Sequence, residues 1–141
     1  MQKSYLIVAI LSAMAVSYSA GLSAGAPKMK YFKNAQHMRL EPMKAEGANA
    51  FLSDVVSSND PKAPISCGLF RMEKGKPLTY TYGYDEAKII LEGEMTVSDG
   101  SSTVQAKPGD ILFFPKGVTI RFTSNDYGLG FICGQREEGG I

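Results

Sequence analysis

The polar side chains that could do chemistry are concentrated in residues 79–94, with the sequence TYTYGYDEAKIILEGE. Tyrosines occupy positions 80, 82 and 84, and Glu86 and Lys88 follow at the same spacing of two. Residues at that spacing share one face of a β-strand. A carboxylate and an amine beside phenols can serve as base and acid, with a tyrosine donating to a developing oxyanion. The set predicts proton transfer next to a carbonyl, isomerisation, dehydration or lyase chemistry.

We therefore predict Glu86, Lys88, Tyr82 and Tyr80 as catalytic residues of a pocket inside a β-fold. In a low dielectric, Glu86 and Lys88 would each favour the charged form of the other, while burial would oppose both charges. Two plainer interpretations stay open. In the first, Glu86 and Lys88 form only a structural ion pair, or Lys88 points to solvent. In the second, the tyrosines are present only because tyrosine favours strands.

The elements that must position these residues are short strands separated by turns. No long segment has the 3.6-residue period of an amphipathic helix, and Gly, Pro, Asn and Asp clusters recur through the second half. The pattern predicts an all-β sandwich or barrel of one domain. Strands are predicted over residues 50–57, 65–72, 78–84, 87–98 with a break at Gly93, 103–106, 111–115, 118–124 and 127–135, and a short edge strand over 29–32.

Composition limits the functions that the chain could have. Of its 141 residues, 44% are hydrophobic, enough for a core, and the 15 Lys and Arg nearly balance the 14 Asp and Glu. A formal charge of +1 argues against a nucleic-acid partner and against docking on anionic membranes. The single histidine, His37, lies in a polar segment and is expected at the surface.

Residues 1–26 are predicted to be a signal peptide, cleaved somewhere in 19–26. A lysine at position 3 precedes an apolar run too short to span a membrane comfortably, and small residues follow it. A retained anchor is the alternative. Cleavage predicts a secreted or secretory-pathway protein with an N-terminal arm over residues 27–48 and a barrel over 49–141. In an oxidising compartment Cys67 and Cys133 could pair, or each could be a buried free thiol.

Two spaced motifs resemble those of the cupin superfamily. Its first motif is G-x5-H-x-H-x3,4-E-x6-G, of which this chain has Glu86 followed by Gly93 at the required distance. Its second motif is G-x5-P-x-G-x2-H-x3-N, matched by Gly109, Pro115 and Gly117. The run YDEAKIILEGEMTVSDG looks like the EutQ-like, cupin-3 branch. The resemblance implies a single-domain jelly-roll β-barrel, often dimeric, with a non-standard metal site or none.

The histidines of the cupin metal site are missing. On the family pattern the first two histidine positions fall on Tyr80 and Tyr82, the third falls on Ile120, and only Glu86 is kept. Neutral phenols and an isoleucine are poor ligands for the metals that imidazole suits. We predict no bound metal and no other cofactor. Strand alternation around these positions adds Tyr84, Ile90, Ile120 and Phe122 as residues that would contact a substrate.

These observations favour a metal-independent cupin that acts on a small organic molecule. The alternatives are a non-catalytic binding or structural cupin, and a metallo-cupin with ligands such as Glu86 and a tyrosine. An open, wet cavity would favour a ligand, and a filled barrel would favour a structural role. The expected partners are a small-molecule ligand and a second copy of the chain, whose exposed sheet edge the arm over residues 28–48 could cover.

Overall fold

The structure is a computed structural model that describes residues 26–45, 47–58 and 60–141. The chain divides into two compact units, residues 1–30 and 31–141. In the first unit only residues 26–30 are described, and they form no helix or strand. The predicted signal peptide, apart from residue 26, therefore lies outside the described residues. All the strands of the described residues lie in the second unit.

The second unit is built from strands, which confirms the prediction of an all-β fold. Its described residues contain one turn of 3-10 helix, Ala35–His37, and no α-helix. In the part of the chain that the structure describes, no helix has the length and apolarity to cross a lipid bilayer. The strands are β1 (Glu41–Pro42), β2 (Ala50–Ser57), β3 (Ser66–Glu73), β4 (Leu78–Thr81), β5 (Glu86–Gly93), β6 (Met95–Ser98), β7 (Thr103–Ala106), β8 (Ile111–Phe114), β9 (Thr119–Thr123) and β10 (Tyr127–Gly134).

The strands form two antiparallel sheets. The larger has the order β1-β2-β3-β10-β5-β8, and the smaller has the order β4-β9-β6-β7. Along β5, residues alternate between buried and less buried positions, as expected when one sheet face covers a core. This arrangement is a jelly roll, as predicted. Its core joins apolar side chains of both sheets, among them Phe70, Met72, Ile90, Met95, Ile120, Phe122 and Ile132.

Aromatic rings fill the middle of the core. The centroid of Phe122 lies 5.2 Å from that of Phe70 and 5.7 Å from that of Phe114. The Tyr82 ring stacks on Phe114 at 5.0 Å. Each ring buries a large apolar area, and tilted or offset pairs add about 1 kcal/mol beyond that area. The polar residues of the site are thus built into a rigid aromatic layer.

The glycines of the two motifs are required by the backbone. Gly93, Gly109 and Gly117 all have positive φ, at 61°, 94° and 94°. A Cβ atom at Gly93 would also lie 2.1 Å from the Tyr127 carbonyl oxygen, closer than any real contact. Asp85, directly before β5, accepts a hydrogen bond from the Lys116 backbone N–H at 2.7 Å. The two motif segments are tied together there.

The arm folds onto its own chain. The strand predicted over residues 29–32 is wrong, because these residues lie outside any strand and Met29 is 92% exposed. Residues that favour strands do so where one face of the strand is buried, and Met29 has no buried face. The arm instead supplies β1, which pairs with Phe51 and Leu52 of β2, so its strand extends the chain's own sheet. His37 is exposed in the 3-10 turn, as expected.

The two cysteines form a disulfide. Cys67 on β3 and Cys133 on β10 are opposite one another, with Cα atoms 4.1 Å apart. The structure therefore selects pairing from the two alternatives that the sequence left open.

Candidate functional site

Residues 80–88 converge as their spacing suggested, although one strand ends earlier than predicted. Strand β4 stops at Thr81, so Tyr82 and Tyr84 lie in the bend before β5. Tyr82 stays fixed because its N–H donates to the Val118 carbonyl at 2.9 Å and its carbonyl accepts from Gly117 at 2.7 Å. Its ring lies 4.9 Å from that of Tyr80 and 5.8 Å from that of Tyr84. The three phenols form one edge-to-face row.

A phenol, a carboxylate and an amine meet in the interior, and we call Tyr82, Glu86 and Lys88 the polar cluster. Tyr82 donates its hydroxyl proton to Glu86 Oε1 at 3.0 Å, and Lys88 Nζ lies 3.6 Å from the same oxygen. All three side chains are buried, with Glu86 and Lys88 each 2% exposed. The prediction that both charged side chains face inward is confirmed, and Lys88 does not point to solvent.

The amine of Lys88 is surrounded by aromatic rings. Its Nζ lies 3.7 Å from the centroid of Phe70, 4.7 Å from that of Phe122 and 5.7 Å from that of Phe114. Ring faces attract a cation but accept no strong hydrogen bond. The aliphatic stem passes over Gly130 of β10, where a Cβ atom would lie 3.0 Å from Lys88 Cγ. The glycine therefore makes the space through which the lysine reaches the cluster.

Burial changes the proton affinities of the cluster. Desolvation lowers the pKa of Lys88 to about 8, although the Glu86 carboxylate opposes the shift. Burial, together with the charge of Glu86, raises the pKa of Tyr82 well above its ordinary value. The pKa of Tyr84 is also raised, by burial and by a hydrogen bond with Tyr80. The phenols of Tyr82 and Tyr84 thus stay protonated, while the amine of Lys88 exchanges its proton near neutral pH.

A cavity of about 20 Å³ lies against the polar cluster, room for about one water molecule. Directly outside it a groove of about 530 Å³ opens at the barrel mouth. The two share the side chains of Met43, Leu52, Leu78, Tyr80 and Ile141, which form the layer between them. The interior is thus nearly filled, and the larger space is at the mouth.

Most of the predicted site residues contact this cavity. Tyr80, Tyr82, Tyr84, Glu86, Lys88 and Phe122 line it. Ile90 and Ile120 are buried in the core and do not line this cavity, so their contact with a substrate stays a prediction. The lining also includes residues that the sequence did not suggest, namely Met43, Leu52, Phe70, Leu78 and Ile141.

A second buried ion pair beside the site was also missed. Arg136 donates to both carboxylate oxygens of Asp54, at 2.6 and 2.8 Å, and Gly139 N–H donates to Asp54 at 2.9 Å. Burial raises the pKa of Asp54, but these hydrogen bonds and the Arg136 charge outweigh it, so the pKa is below its usual value. The guanidinium also lies 5.6 Å from the ring centroid of Tyr84. Partners 82 positions apart leave no local sequence signal.

The residues at the cupin metal positions do not fit a divalent transition metal. Burial keeps the Tyr82 hydroxyl protonated, and this hydroxyl donates a hydrogen bond to Glu86. Its oxygen is therefore not an anionic ligand. Lys88 Nζ lies against the one carboxylate of the set, where it repels a cation. Ile120 has no donor atom. Among the described residues no three His, Cys, Asp or Glu side chains group as a metal site would need.

The two-sheet jelly roll and the inward-facing residues of the first motif define a cupin barrel. A solved structure of similar fold is the polyketide cyclase RemF from Streptomyces resistomycificus, with 17% identity over 78% of this chain and 82% of that chain and a TM-score of 0.64. That similarity concerns the fold. Residues 13–132 match the family described as ethanolamine utilisation protein EutQ. The chain belongs to the EutQ family.

Relatives in the family are similar over part of their length. The acetate kinase EutQ of Escherichia coli (strain K12) is 37% identical over 71 residues, which are 50% of this chain and 30% of that protein. The acetate kinase EutQ of Clostridioides difficile is 32% identical over 80 residues, 53% of this chain and 50% of that protein. The chain thus spans 30% to 50% of the length of these two relatives.

Two similar solved structures are closer in size. The putative ethanolamine utilisation protein EutQ of Salmonella typhimurium LT2 is 29% identical, with a TM-score of 0.54, covering 61% of this chain and 68% of that chain. A protein of unknown function from Rhizobium leguminosarum is 30% identical, with a TM-score of 0.58, over 79% of this chain and 100% of that chain.

Proposed function

We propose that this EutQ-family cupin is metal-independent and acts on a small organic molecule by acid–base chemistry. The ligand enters from the groove at the barrel mouth and presents one polar group to Tyr82, Glu86 and Lys88. The observation that carries the proposal is the buried polar cluster beside the cavity. An ion pair buried in a barrel contributes little net stability compared with apolar residues of the same volume, so stability alone does not account for it.

The three groups have complementary roles. Lys88, with a pKa of about 8, can give up and take back a proton near neutral pH. Glu86 accepts a proton, and Tyr82 stays protonated and orients that carboxylate through its hydroxyl hydrogen bond. Tyr80 and Leu78 belong to the layer shared by the cavity and the groove, so a ligand reaches the cluster through this layer. The path opens when Met43 moves, and methionine is a flexible side chain.

A non-catalytic cupin is the second candidate, and the small cavity favours it. A volume of about 20 Å³ holds no organic ligand unless side chains move. In that case the polar cluster would only fill the barrel. A metallo-cupin with unusual ligands is disfavoured, because a protonated phenol and a neighbouring ammonium do not suit a metal. Metal analysis after chelator treatment tests this, and a stoichiometric metal that survives would contradict metal independence.

The name acetate kinase belongs to relatives of which this chain spans only a part, and phosphoryl transfer is not our proposal. Phosphate binding needs cationic or backbone donors that are free. The two buried cations among the described residues, Lys88 and Arg136, are both paired with carboxylates. The cluster is therefore close to neutral, which suits an uncharged ligand.

The test is a ligand screen followed by turnover assays. Thermal shift with a library of small organic molecules identifies binders, and NMR or mass spectrometry detects their conversion. Glu86→Gln should abolish turnover of a converted ligand and retain its binding. The matched control is Glu137→Gln, an exposed glutamate, which should leave both unchanged. Turnover that persists in folded Glu86→Gln protein would reject the catalytic role.

We also propose secretion into an oxidising compartment. The predicted signal peptide and the Cys67–Cys133 disulfide support this, since disulfides persist in such compartments. Intact-mass analysis of the protein from its native host tests it. The expected N-terminus lies within residues 20–27, and the mass is that of the oxidised chain. An uncleaved, fully reduced chain would contradict the proposal.

A further inference from the structure

The strongest unused chemistry in the molecule is the nucleophilicity of Lys88. A lysine becomes a nucleophile toward carbonyl groups when its amine is desolvated among apolar groups and loses its proton readily. Lys88 Nζ is packed against Phe70 and Phe122, at 3.7 and 4.7 Å from their ring centroids, and borders the cavity. We propose that Lys88 condenses with a small uncharged aldehyde or ketone to form an imine inside the barrel. This inference rests on the proposed function and names its substrate class.

The charges around the cavity select a neutral ligand. Glu86 and Lys88 compensate each other at 3.6 Å, and Asp54 compensates Arg136 at 2.6 Å. At the mouth Glu41 and Lys44 contribute one charge of each sign, and the remaining lining is mostly apolar. A carboxylate or phosphate ligand would enter without a free cation to balance it, and that burial is costly. A short-chain aldehyde or ketone carries no such cost.

The condensation balances with the groups that are present. The ammonium group of Lys88 first releases one proton to solvent. The neutral amine then attacks the carbonyl carbon as the C=O π bond breaks, and the carbonyl oxygen takes that proton back from solvent to give a carbinolamine. Glu86 removes the extra proton from nitrogen and then returns it to the hydroxyl group as the C–O bond breaks. Water leaves and the C=N bond forms, with no oxidation or reduction. Tyr82, hydrogen-bonded to Glu86 at 3.0 Å, keeps that carboxylate oriented for both transfers.

The buried amine also has a chemical advantage over the exposed lysines. With a pKa of about 8, roughly a tenth of Lys88 is neutral at neutral pH, whereas an ordinary lysine is neutral in fewer than about one molecule in a thousand. The protonated imine has the same charge as the ammonium that it replaces, so Glu86 still compensates it. Because the cavity of about 20 Å³ holds no organic ligand as it stands, a short carbonyl compound enters only when side chains shared with the groove, such as the flexible Met43, move aside.

Reductive trapping of the full-length folded protein tests the proposal. The protein is incubated near neutral pH with acetaldehyde, propanal or acetone and cyanoborohydride, and each lysine is quantified by peptide mass spectrometry. We expect Lys88 to be alkylated at least about tenfold faster than the exposed Lys107 and Lys116 of the same molecule. Alkylation of Lys88 no faster than theirs would overturn the proposal.

Variants separate nucleophilic attack from accidental modification. Glu86→Gln should slow trapping at Lys88 about tenfold or more, because the carboxylate moves the protons, and the exposed Glu137→Gln should not change it. Equal trapping in folded Glu86→Gln protein would also overturn the proposal. Ligand-detected NMR without reductant distinguishes imine formation at Lys88 from simple binding of a small molecule in the barrel. Carbonyl compounds that bind without trapping leave the proposed function standing, and a site that binds no small molecule rejects both.

Discussion

The amine of Lys88 is held by one carboxylate oxygen and several ring faces, although an ammonium group can donate three hydrogen bonds. Such an environment makes the charged form costly and ties its stability to Glu86. We expect this cost of the charged form to appear when Glu86 or Lys88 is replaced and when the pH removes the proton from Lys88. Two predictions at this scale follow from the same 3.6 Å contact.

The first concerns a double-mutant cycle of Glu86→Gln and Lys88→Met. Each single change leaves a buried charge without its partner and should lower the free energy of unfolding by about 3–5 kcal/mol. The double variant removes both charges and should lose clearly less than the sum, with a coupling of at least about 2 kcal/mol. Urea unfolding of the four proteins measures it.

The matched control is the exposed pair Arg39 and Glu41, whose atoms lie at the same 3.6 Å but whose side chains are 88% and 68% exposed. Its cycle, Arg39→Met with Glu41→Gln, should show a coupling below about 0.5 kcal/mol because water screens the pair. A buried cycle with a coupling as small as the exposed one would show that burial does not strengthen the contact.

The second prediction concerns pH. Because folding lowers the pKa of Lys88 from 10.5 to about 8, the unfolded chain binds more protons between these values. Stability therefore rises with pH in that window. The difference in unfolding free energy between wild type and Lys88→Met should increase by about 2 kcal/mol from about pH 7.5 to 9.5. Above about pH 10 the buried tyrosines act in the opposite direction, since unfolded tyrosine ionises there. A difference that stays flat with pH would contradict the lowered pKa.

The sequence predicted the inward-facing row of residues because strand alternation is a local rule. Glu86 and Lys88 are two positions apart on β5, so one period decides both. It could not predict that Phe70 of β3 covers Lys88 or that Met43 lines the cavity, because those contacts join distant segments. Alternation also predicted that Ile120 faces the core, where it is buried, but alternation alone does not decide which core residues border the cavity.

At the scale of elements, β10 is the strand on which the site depends. It is glycine-rich, and Gly128, Gly130 and Gly134 are each positions where a neighbouring group comes close. At Gly130 that group is the stem of Lys88, and at Gly134 it is the ring of Tyr84. The glycines of this strand therefore allow neighbouring groups to pack closely against its backbone.

Gly130→Ala tests this role. The added methyl group would meet Lys88 Cγ at 3.0 Å and Cδ at 3.2 Å, so the stem must move. We expect a loss of about 1–3 kcal/mol in unfolding free energy, the usual cost of overpacking a core. Gly83→Ala is the control, because a Cβ there meets nothing within 4 Å. Its unfolding free energy should change by less than about 0.5 kcal/mol. Equal stability of both variants, measured in urea, would show that the stem is not confined.

Most strands were predictable because turn residues and alternation are both local. The segments of β2 and β7 were predicted at their observed bounds, and Gly93 was predicted as the break between β5 and β6. The arm was not predictable, since β1 exists only because β2 offers it an edge. The early end of β4 has a similar origin, because the chain must bend before Glu86 can enter the opposite sheet.

At the scale of the whole molecule, the outer face of the larger sheet has exposed apolar side chains. Ile111 and Phe113 on β8 are 72% and 62% exposed, and Phe131 on β10 is 38% exposed. Ile89 of β5 is paired with both Ile111 and Phe131, so these three side chains form one row across three strands, and Phe113 is two positions from Ile111 on the same face of β8. Clustered exposed apolar residues mark interaction surfaces.

The predicted homodimer would form through this row, with the same patch on both copies. Wild-type protein should have the mass of a dimer in size-exclusion chromatography with light scattering, and Phe113→Glu should shift it to monomer. Val104→Glu replaces an exposed apolar residue of the smaller sheet and should leave the dimer intact. A monomeric wild type would reject the dimer, and dissociation by Val104→Glu would reject this location.

The disulfide has a consequence for how the chain reaches this fold. Cys67 and Cys133 face each other across β3 and β10, and β10 is also the neighbour of β5. A shift of one residue between paired strands turns every side chain to the other face. Such a slip between β10 and its neighbours would separate the two cysteines and disturb the strand pairing on which the barrel interior depends. The disulfide therefore forms when β3 and β10 are paired in the native register. Once formed, it holds the two strands in that register.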